Sequence, residues 1–332
     1  MINKSTNLVF ILMLMLSVLI SISSNSWFTV WMGMEINMMA FIPIILEKKN
    51  MMSKEATLTY FMTQTIASML LMLSIIMMKM AILININSPL MMSALMMKSG
   101  ISPFHFWMPK VMEGLNWTNC LILMTLQKIT PLLMMSMIIK MNFMMITSML
   151  LSVMVGAIGG INQTSLRKLM AYSSISNNGW MLVAMNYSEI LWINYFIMYI
   201  IMSVIMTMSM NKYKVFTMNQ LMSMNEKLSM KIMLFINMLS ISGLPPMMGF
   251  LPKWMVIQYS MMNNSLMLMM SLIMMTLITV YYYLRIMYST MLLTNLNPKW
   301  SLMINKKNYI IMTTSMMSII GLTMVSMILS LY

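Results

Sequence analysis

Lys98-Ser99-Gly100-Ile101-Ser102-Pro103-Phe104-His105-Phe106-Trp107-Met108-Pro109-Lys110 and Ser242-Gly243-Leu244-Pro245-Pro246-Met247-Met248-Gly249-Phe250-Leu251-Pro252-Lys253 share one design. Aligned without a gap, 143 positions apart, they match at the Ser, the Gly, Pro103 with Pro246, Pro109 with Pro252, and Lys110 with Lys253. Both fall in apolar sequence where a membrane helix is expected. Gly and Pro there break the backbone hydrogen-bond ladder, and hydrocarbon supplies no water to repair it. Broken helices persist only where they line a cavity or are buried in protein, and a matching pair in two halves of a chain points to a transport site. The expected fold is an all-α polytopic membrane helix bundle with two broken helices, near 98–109 and 240–254. The expected role is movement of a solute or ion across a membrane.

Composition supports a membrane reading over the whole chain. Of 332 residues, 60% are hydrophobic and 8% charged, and mean hydropathy is +0.83. A soluble domain carries about 25% charged residues, and no hydrophilic stretch here is long enough to form one, so 1–332 reads as a single membrane domain. The 62 methionines, two arginines and absent aspartate do not follow from function, since Arg and Lys are not physically equivalent. They fit an AT-rich genome with an extra methionine codon, the habit of animal mitochondria. One cysteine, Cys120, excludes a disulfide framework, and one histidine, His105, excludes a His-pair metal or haem site. The net charge of +14 suggests nucleic acid only until its distribution is read. The basic residues are scattered between apolar spans, and no basic stripe alternates with aromatics.

Spans of about 20 residues give eleven helices, at roughly 7–22, 27–46, 56–78, 89–109, 117–139, 143–160, 168–186, 190–210, 231–262, 265–289 and 309–331. The first lacks a cleavage site and is expected to be retained. The fourth and ninth are the broken ones. Five crossings separate them, so they run in opposite directions, which is inverted-repeat topology. With this count, fourteen loop lysines and arginines fall on one side and only Lys79 and Lys140 on the other. That bias places the N-terminus on the positive side, the matrix for a mitochondrial protein, and the C-terminus in the intermembrane space. Segment 211–231, the longest loop, reads either as a short interfacial helix on the matrix side or as a solvated connector.

Sixteen of the twenty basic residues lie in those loops, leaving Lys98, Lys128, Lys253 and Arg285 inside spans, with Glu35 as the only mid-span glutamate. Each such charge costs at least about 2.5–3.5 kcal/mol at the bilayer centre, so these residues are expected to face the protein interior and mark an ion or proton path. A buried ammonium without a counter-charge holds its proton less firmly, and a carboxylate about 4 Å away opposes this by roughly 4 kcal/mol. Moving a glutamate toward or away from a lysine therefore switches that lysine between holding and releasing a proton. A purely structural ion pair is the competing reading of Glu35 and Lys98. Lys128 reads as mid-helix, one turn before Pro131. His105 reads either as a proton relay or as a hydrogen-bonded structural residue. Arg285, after three tyrosines near a helix end, reads as snorkelling or headgroup-binding, with a transport role as the competing reading, and Lys110 as a surface charge. The methionine runs read as lipid-facing or core filler.

Four blocks carry a family resemblance: Ser24-Asn25-Ser26-Trp27 with Trp31-Met32-Gly33-Met34-Glu35-Ile36-Asn37; Lys98 through Pro109; Gly159-Gly160-Ile161-Asn162-Gln163-Thr164-Ser165-Leu166-Arg167-Lys168 with Ala171-Tyr172-Ser173-Ser174-Ile175; and Gly243-Leu244-Pro245-Pro246 with Gly249-Phe250-Leu251-Pro252-Lys253-Trp254. In order and position they resemble the subunit 2 family of respiratory NADH–ubiquinone oxidoreductase (complex I), one of its antiporter-like subunits. The resemblance implies an antiporter-like bundle with two inverted repeats, shortened at its N-terminus as in animals. It places Glu35 where the family has its membrane glutamate, Lys98 at that glutamate's lysine partner, Lys128 at the central lysine and Lys253 at the lysine on the second broken helix. It implies a core membrane-arm subunit that translocates protons across the mitochondrial inner membrane, coupled to electron transfer from NADH to ubiquinone. No cofactor is implied in this chain, FMN, iron–sulfur clusters and ubiquinone belonging to other subunits. The implied partners are other membrane-arm subunits and lipids such as cardiolipin, with neither nucleic acid nor a homo-oligomer. One departure stands out. Many relatives carry a histidine where this chain has Ser176-Asn177-Asn178, so no relay is assigned there. A stand-alone cation/proton antiporter and a passive scaffold are the competing readings.

Overall fold

The computed structural model describes residues 4–46, 50–80, 84–139, 143–223 and 228–292. Among them the chain is helical, as α1 (Lys4–Ser23), α2 (Trp27–Ile45), α3 (Met51–Lys79), α4 (Ile84–Ser99), α5 (Trp107–Gly114), α6 (Trp117–Met124), α7 (Leu126–Ile138), α8 (Phe143–Gly160), α9 (Leu166–Tyr187), α10 (Glu189–Tyr213), α11 (Met218–Met222), α12 (Leu228–Ser242), α13 (Phe250–Met262) and α14 (Leu266–Leu292). Helix covers ten of the eleven spans expected from hydropathy. The eleventh, 309–331, lies outside the described residues. By length and composition alone, six of the helical segments are long and apolar enough to cross a membrane.

Short polar residues set the helix starts. Ser26, Asn50 and Ser188 each accept a backbone N–H of the first turn of α2, α3 and α10, which satisfies donors that hydrocarbon would leave bare. Within the helices, Ser17, Ser21, Ser74 and Ser152 return their hydroxyl hydrogens to carbonyls one turn back. That is how so many hydroxyls are carried through an apolar layer. The long loop carries α11, closed by a capping box between Thr217 and Gln220. Backbone bonds from Leu166 to Phe216 and from Met218 to Thr164 tie it to the start of α9.

The chain forms two compact units, divided between Ser148 and Met149 inside α8. In both, the usual sorting of side chains is reversed. Leu8, Leu12, Met15 and Leu19 line an exposed stripe of α1, and Met267, Met270, Met274 and Leu277 one of α14, as expected of faces turned to lipid. The interiors hold polar groups as well as apolar ones: Asn37, Gln64, Lys98 and Lys128 in the first unit, and Asn177, Asn178, Asn237 and Lys253 in the second.

Candidate functional site

Each unit contains one of the broken helices, and the two are closed by backbone hydrogen bonds at matching positions. α4 ends at Ser99, where Gly100 takes φ +71°. The Gly100 N–H reaches the Met97 carbonyl (3.4 Å) and the Ile101 N–H the Met96 carbonyl (3.0 Å). α12 ends at Ser242, where Gly243 takes φ +80°. The Gly243 N–H is shared by the Leu239 and Ser240 carbonyls (3.2 and 3.1 Å), and the Leu244 N–H reaches Leu239 (3.5 Å). These are paired C-terminal closures that need a left-handed residue, a conformation glycine adopts without a Cβ penalty. One turn follows in each, from Phe104 to Ile101 and from Met247 to Leu244, both 2.9 Å. The chain re-enters helix at Trp107 and Phe250. Every one of these positions differs by 143, the offset of the sequence alignment. Each break leaves a helix C-terminus, with its negative dipole end, inside the protein.

In the first unit the break meets a charge pair. Lys98, in the last turn of α4, places Nζ 3.9 Å from Glu35 Oε1 on α2, with the two side chains 7% and 21% exposed. At that separation and an effective dielectric near 20 the attraction is roughly 4 kcal/mol before desolvation. Lys98 and Lys128 both line one cavity together with Asn37, Tyr60, Gln64 and Gln127, and its ≈ 20 Å³ open to the centre of a water-sized sphere is room for about one water. Lys128 is 2% exposed. It does not sit mid-helix as the sequence suggested. The span is interrupted at Thr125 (φ −111°, ψ −76°), and Lys128 lies in the first turn of α7. Pro131 supplies part of the reason, since it deletes the helical donor to the Gln127 carbonyl and pushes the preceding turn off line. Beside the cavity, Tyr60 Oη–H donates to Gln127 Oε1 (3.1 Å) and Gln127 Nε2–H donates to Asn37 Oδ1 (2.8 Å). His105 is buried in the break, with Nδ1 3.2 Å from Ser102 Oγ and 3.3 Å from the Pro103 carbonyl. Those bonds hold the loop's own shape.

In the second unit Lys253 lies in the first turn of α13 and folds back over the break, its Nζ donating to the Ser242 carbonyl at 2.7 Å. The ammonium also stands 5.9 Å from the centre of the Trp180 ring, within cation–π reach. A Cβ at position 243 would come within 2.9 Å of Lys253 Nζ, so a larger residue there would push the ammonium aside. Next to this break, Ser173, Asn177, Tyr195, Tyr199, Ser203 and Ser240 line a second cavity of ≈ 20 Å³, and Tyr195 Oη–H donates to Asn177 Oδ1 at 3.1 Å.

Other charges are placed differently. Lys110 is exposed on α5. Arg285 is exposed on α14 and donates to the Ile161 carbonyl at the end of α8 (3.4 Å). Lys231, counted with the loop charges in the sequence, is inside α12 and buried. Among the described residues, no group of three or more His, Cys, Asp or Glu side chains could hold a metal ion. The residues missed by sequence reasoning are the neutral polar ones, and a signal for them existed. Tyr60 and Gln64, Ser173 and Asn177, and Tyr195, Tyr199, Ser203 and Thr207 recur every fourth position in apolar helices, which stacks them on one face. All are buried.

A family described as "NADH:quinone oxidoreductase/Mrp antiporter, TM" matches residues 24–279. The chain is 45% identical over 337 residues to "NADH-ubiquinone oxidoreductase chain 2" of Anopheles gambiae, and 47% identical over 339 residues to that of Aedes aegypti. Each comparison covers 98% of both chains. Its structure superimposes on a chain of respiratory complex I from Thermus thermophilus, solved with bound aureothin, with a TM-score of 0.82 at 19% identity, covering 96% of this chain and 78% of that one. That likeness establishes the fold, an antiporter-like all-helical membrane bundle, while the sequence relatives establish the family. The chain belongs to the NADH-ubiquinone oxidoreductase chain 2 family.

Proposed function

We propose that this chain is a core membrane-arm subunit of mitochondrial NADH–ubiquinone oxidoreductase, in which proton translocation is coupled to electron transfer from NADH to ubiquinone, and that Glu35, Lys98, Lys128 and Lys253 carry the protons. The observation that carries the assignment is one continuous arrangement in the first unit, in which Glu35 touches Lys98 (3.9 Å) and Lys98 and Lys128 line the same cavity. With Glu35 close, the Lys98 ammonium is held charged. With Glu35 drawn away, the ammonium is left in a low-dielectric interior and its proton is free to pass through the cavity toward Lys128. The Coulomb change of roughly 4 kcal/mol exceeds the roughly 2.3 kcal/mol needed per charge against 100 mV. Lys253 is the corresponding carrier of the second unit, and His105 belongs with the loop that shapes the first break.

In this reading the protein is a multi-pass component of the mitochondrial inner membrane, with its N-terminus in the matrix and its C-terminus in the intermembrane space. It works as one copy among other membrane-arm subunits and lipids such as cardiolipin, and its partners hold the flavin, the iron–sulfur clusters and ubiquinone. A second reading, a stand-alone cation/proton antiporter, is favoured by the family description, which also covers Mrp antiporters. Detergent extraction separates the two. A subunit comigrates with a large NADH-oxidising assembly, whereas an independent antiporter purifies alone. Within the assembly, Lys128→Met is expected to abolish proton translocation with assembly retained. Intact pumping by that variant would make the chain a scaffold.

A further inference from the structure

We propose that the string Tyr60–Gln127–Asn37 is a neutral latch that positions the cavity between Lys98 and Lys128, and that Gln127 is the positioning residue at its centre. This rests on the proton-translocating reading of the first unit and adds residues to it that carry no charge.

The string joins three helices. Asn37 is on α2, two residues after Glu35, Gln127 is on α7, immediately before Lys128, and Tyr60 is on α3. Both ends of the Gln127 carboxamide are used, its oxygen by Tyr60 (3.1 Å) and its nitrogen by Asn37 (2.8 Å). That holds the plane of the amide between the two partners. The Tyr60 ring cannot swing, because it packs edge-on against Phe41 and Trp107, with centroids 5.3 and 5.9 Å apart. The latch is placed where the backbone is weakest. Between Thr125 and Pro131 the helical ladder is interrupted, so the direction of the first turn of α7, and with it Lys128, depends on side-chain bonds. Amides do not titrate, so the string leaves the proton count of the site unchanged while holding the phenol and amide dipoles around a space for one water. It also links Glu35's helix to Lys128's, so that a shift of α2 reaches both lysines together.

The test uses the complete NADH–ubiquinone oxidoreductase complex in sealed vesicles. Gln127→Leu keeps the volume and removes both bonds, while Tyr60→Phe removes one hydroxyl and keeps the ring. Both are read as NADH-driven proton uptake per assembled complex and as its solvent deuterium isotope effect. A loss of order in the path slows proton transfer and raises the isotope effect. A purely structural loss lowers only the amount of assembled complex. The expected result for Gln127→Leu is about a tenfold drop per assembled complex, with a raised isotope effect. Tyr60→Phe is expected to act in the same direction by less, and the double variant to be no worse than Gln127→Leu alone, since both changes break one string. Wild-type uptake and isotope effect in Tyr60→Phe, or a Gln127→Leu defect confined to assembly, would overturn the latch. Lys128→Met is the control. If it loses uptake while the string variants keep it, the latch alone fails, and if it also pumps normally, the proton-translocating reading fails with it.

Discussion

The two broken helices close on the same glycine turn and carry their lysines on opposite sides of it. The first carries its lysine before the glycine, where Lys98 meets the Glu35 carboxylate at 3.9 Å. The second carries it after the break, where Lys253 turns back to the Ser242 carbonyl at 2.7 Å and to the face of Trp180. At the aligned positions the sequence has Ile241 opposite Lys98 and the exposed Lys110 opposite Lys253. An interrupted helix is therefore a reusable mount that exposes a negative helix end in the protein interior, and the position of one ammonium decides what the mount can do. A lysine facing a carboxylate answers to a charge that can move away. A lysine satisfied by a helix end and a ring is held by dipoles that cannot.

That difference can be broken in stages. Lys98→Met leaves a half-buried carboxylate without its partner and is expected to cost up to about 3 kcal/mol, seen as reduced assembly together with lost pumping. Lys253→Met removes no counter-charge and is expected to lose pumping with assembly near wild type. Glycine substitutions sharpen the contrast at lower cost. Gly243→Ala and Gly100→Ala each force a left-handed alanine, costing about 1–2 kcal/mol. In Gly243→Ala the new methyl would stand 2.9 Å from Lys253 Nζ and displace the ammonium from the Ser242 carbonyl, whereas at Gly100 it meets Met108 Sδ at 3.1 Å, on a side chain that carries no proton. Proton uptake per assembled complex is therefore expected to fall more in Gly243→Ala. Trp180→Leu removes the ring under Lys253, and the part of its stability cost that disappears in a Lys253→Met background is expected to be about 1 kcal/mol in a denaturation midpoint. Lys110→Ala, at the position aligned with Lys253 but exposed, is expected to stay within about 0.5 kcal/mol of wild type in the same measurement.

Gly and Pro in apolar sequence made the two breaks legible, because hydrocarbon leaves an unpaired backbone group few options. The charges in mid-span were legible for the same reason, and Lys98, Lys128 and Lys253 are buried. Thr125 was not. A helix interruption at a β-branched residue carries no glycine signature, and Pro131 by itself reads as a kink a turn and a half later. Lys231 was misplaced by a boundary, since a lysine at the edge of a span looks the same whether it snorkels or turns inward. The neutral groups Tyr60, Gln64 and Gln127 were overlooked because burying an amide or phenol costs far less than burying a charge; four-residue spacing distinguishes Tyr60 and Gln64 from solvated positions, and Gln127 lacks even that signal.

Proton transfer in the first unit turns on Glu35 setting the charge of Lys98. NADH-driven proton uptake by the complete complex carrying Glu35→Gln, in sealed vesicles and per assembled complex, tests this most directly. Glutamine keeps the shape and removes the charge. Uptake is expected to fall by tenfold or more, about 1.4 kcal/mol or above in the rate-limiting step. Uptake equal to wild type would contradict the account, because Lys98 would then carry protons without the carboxylate beside it.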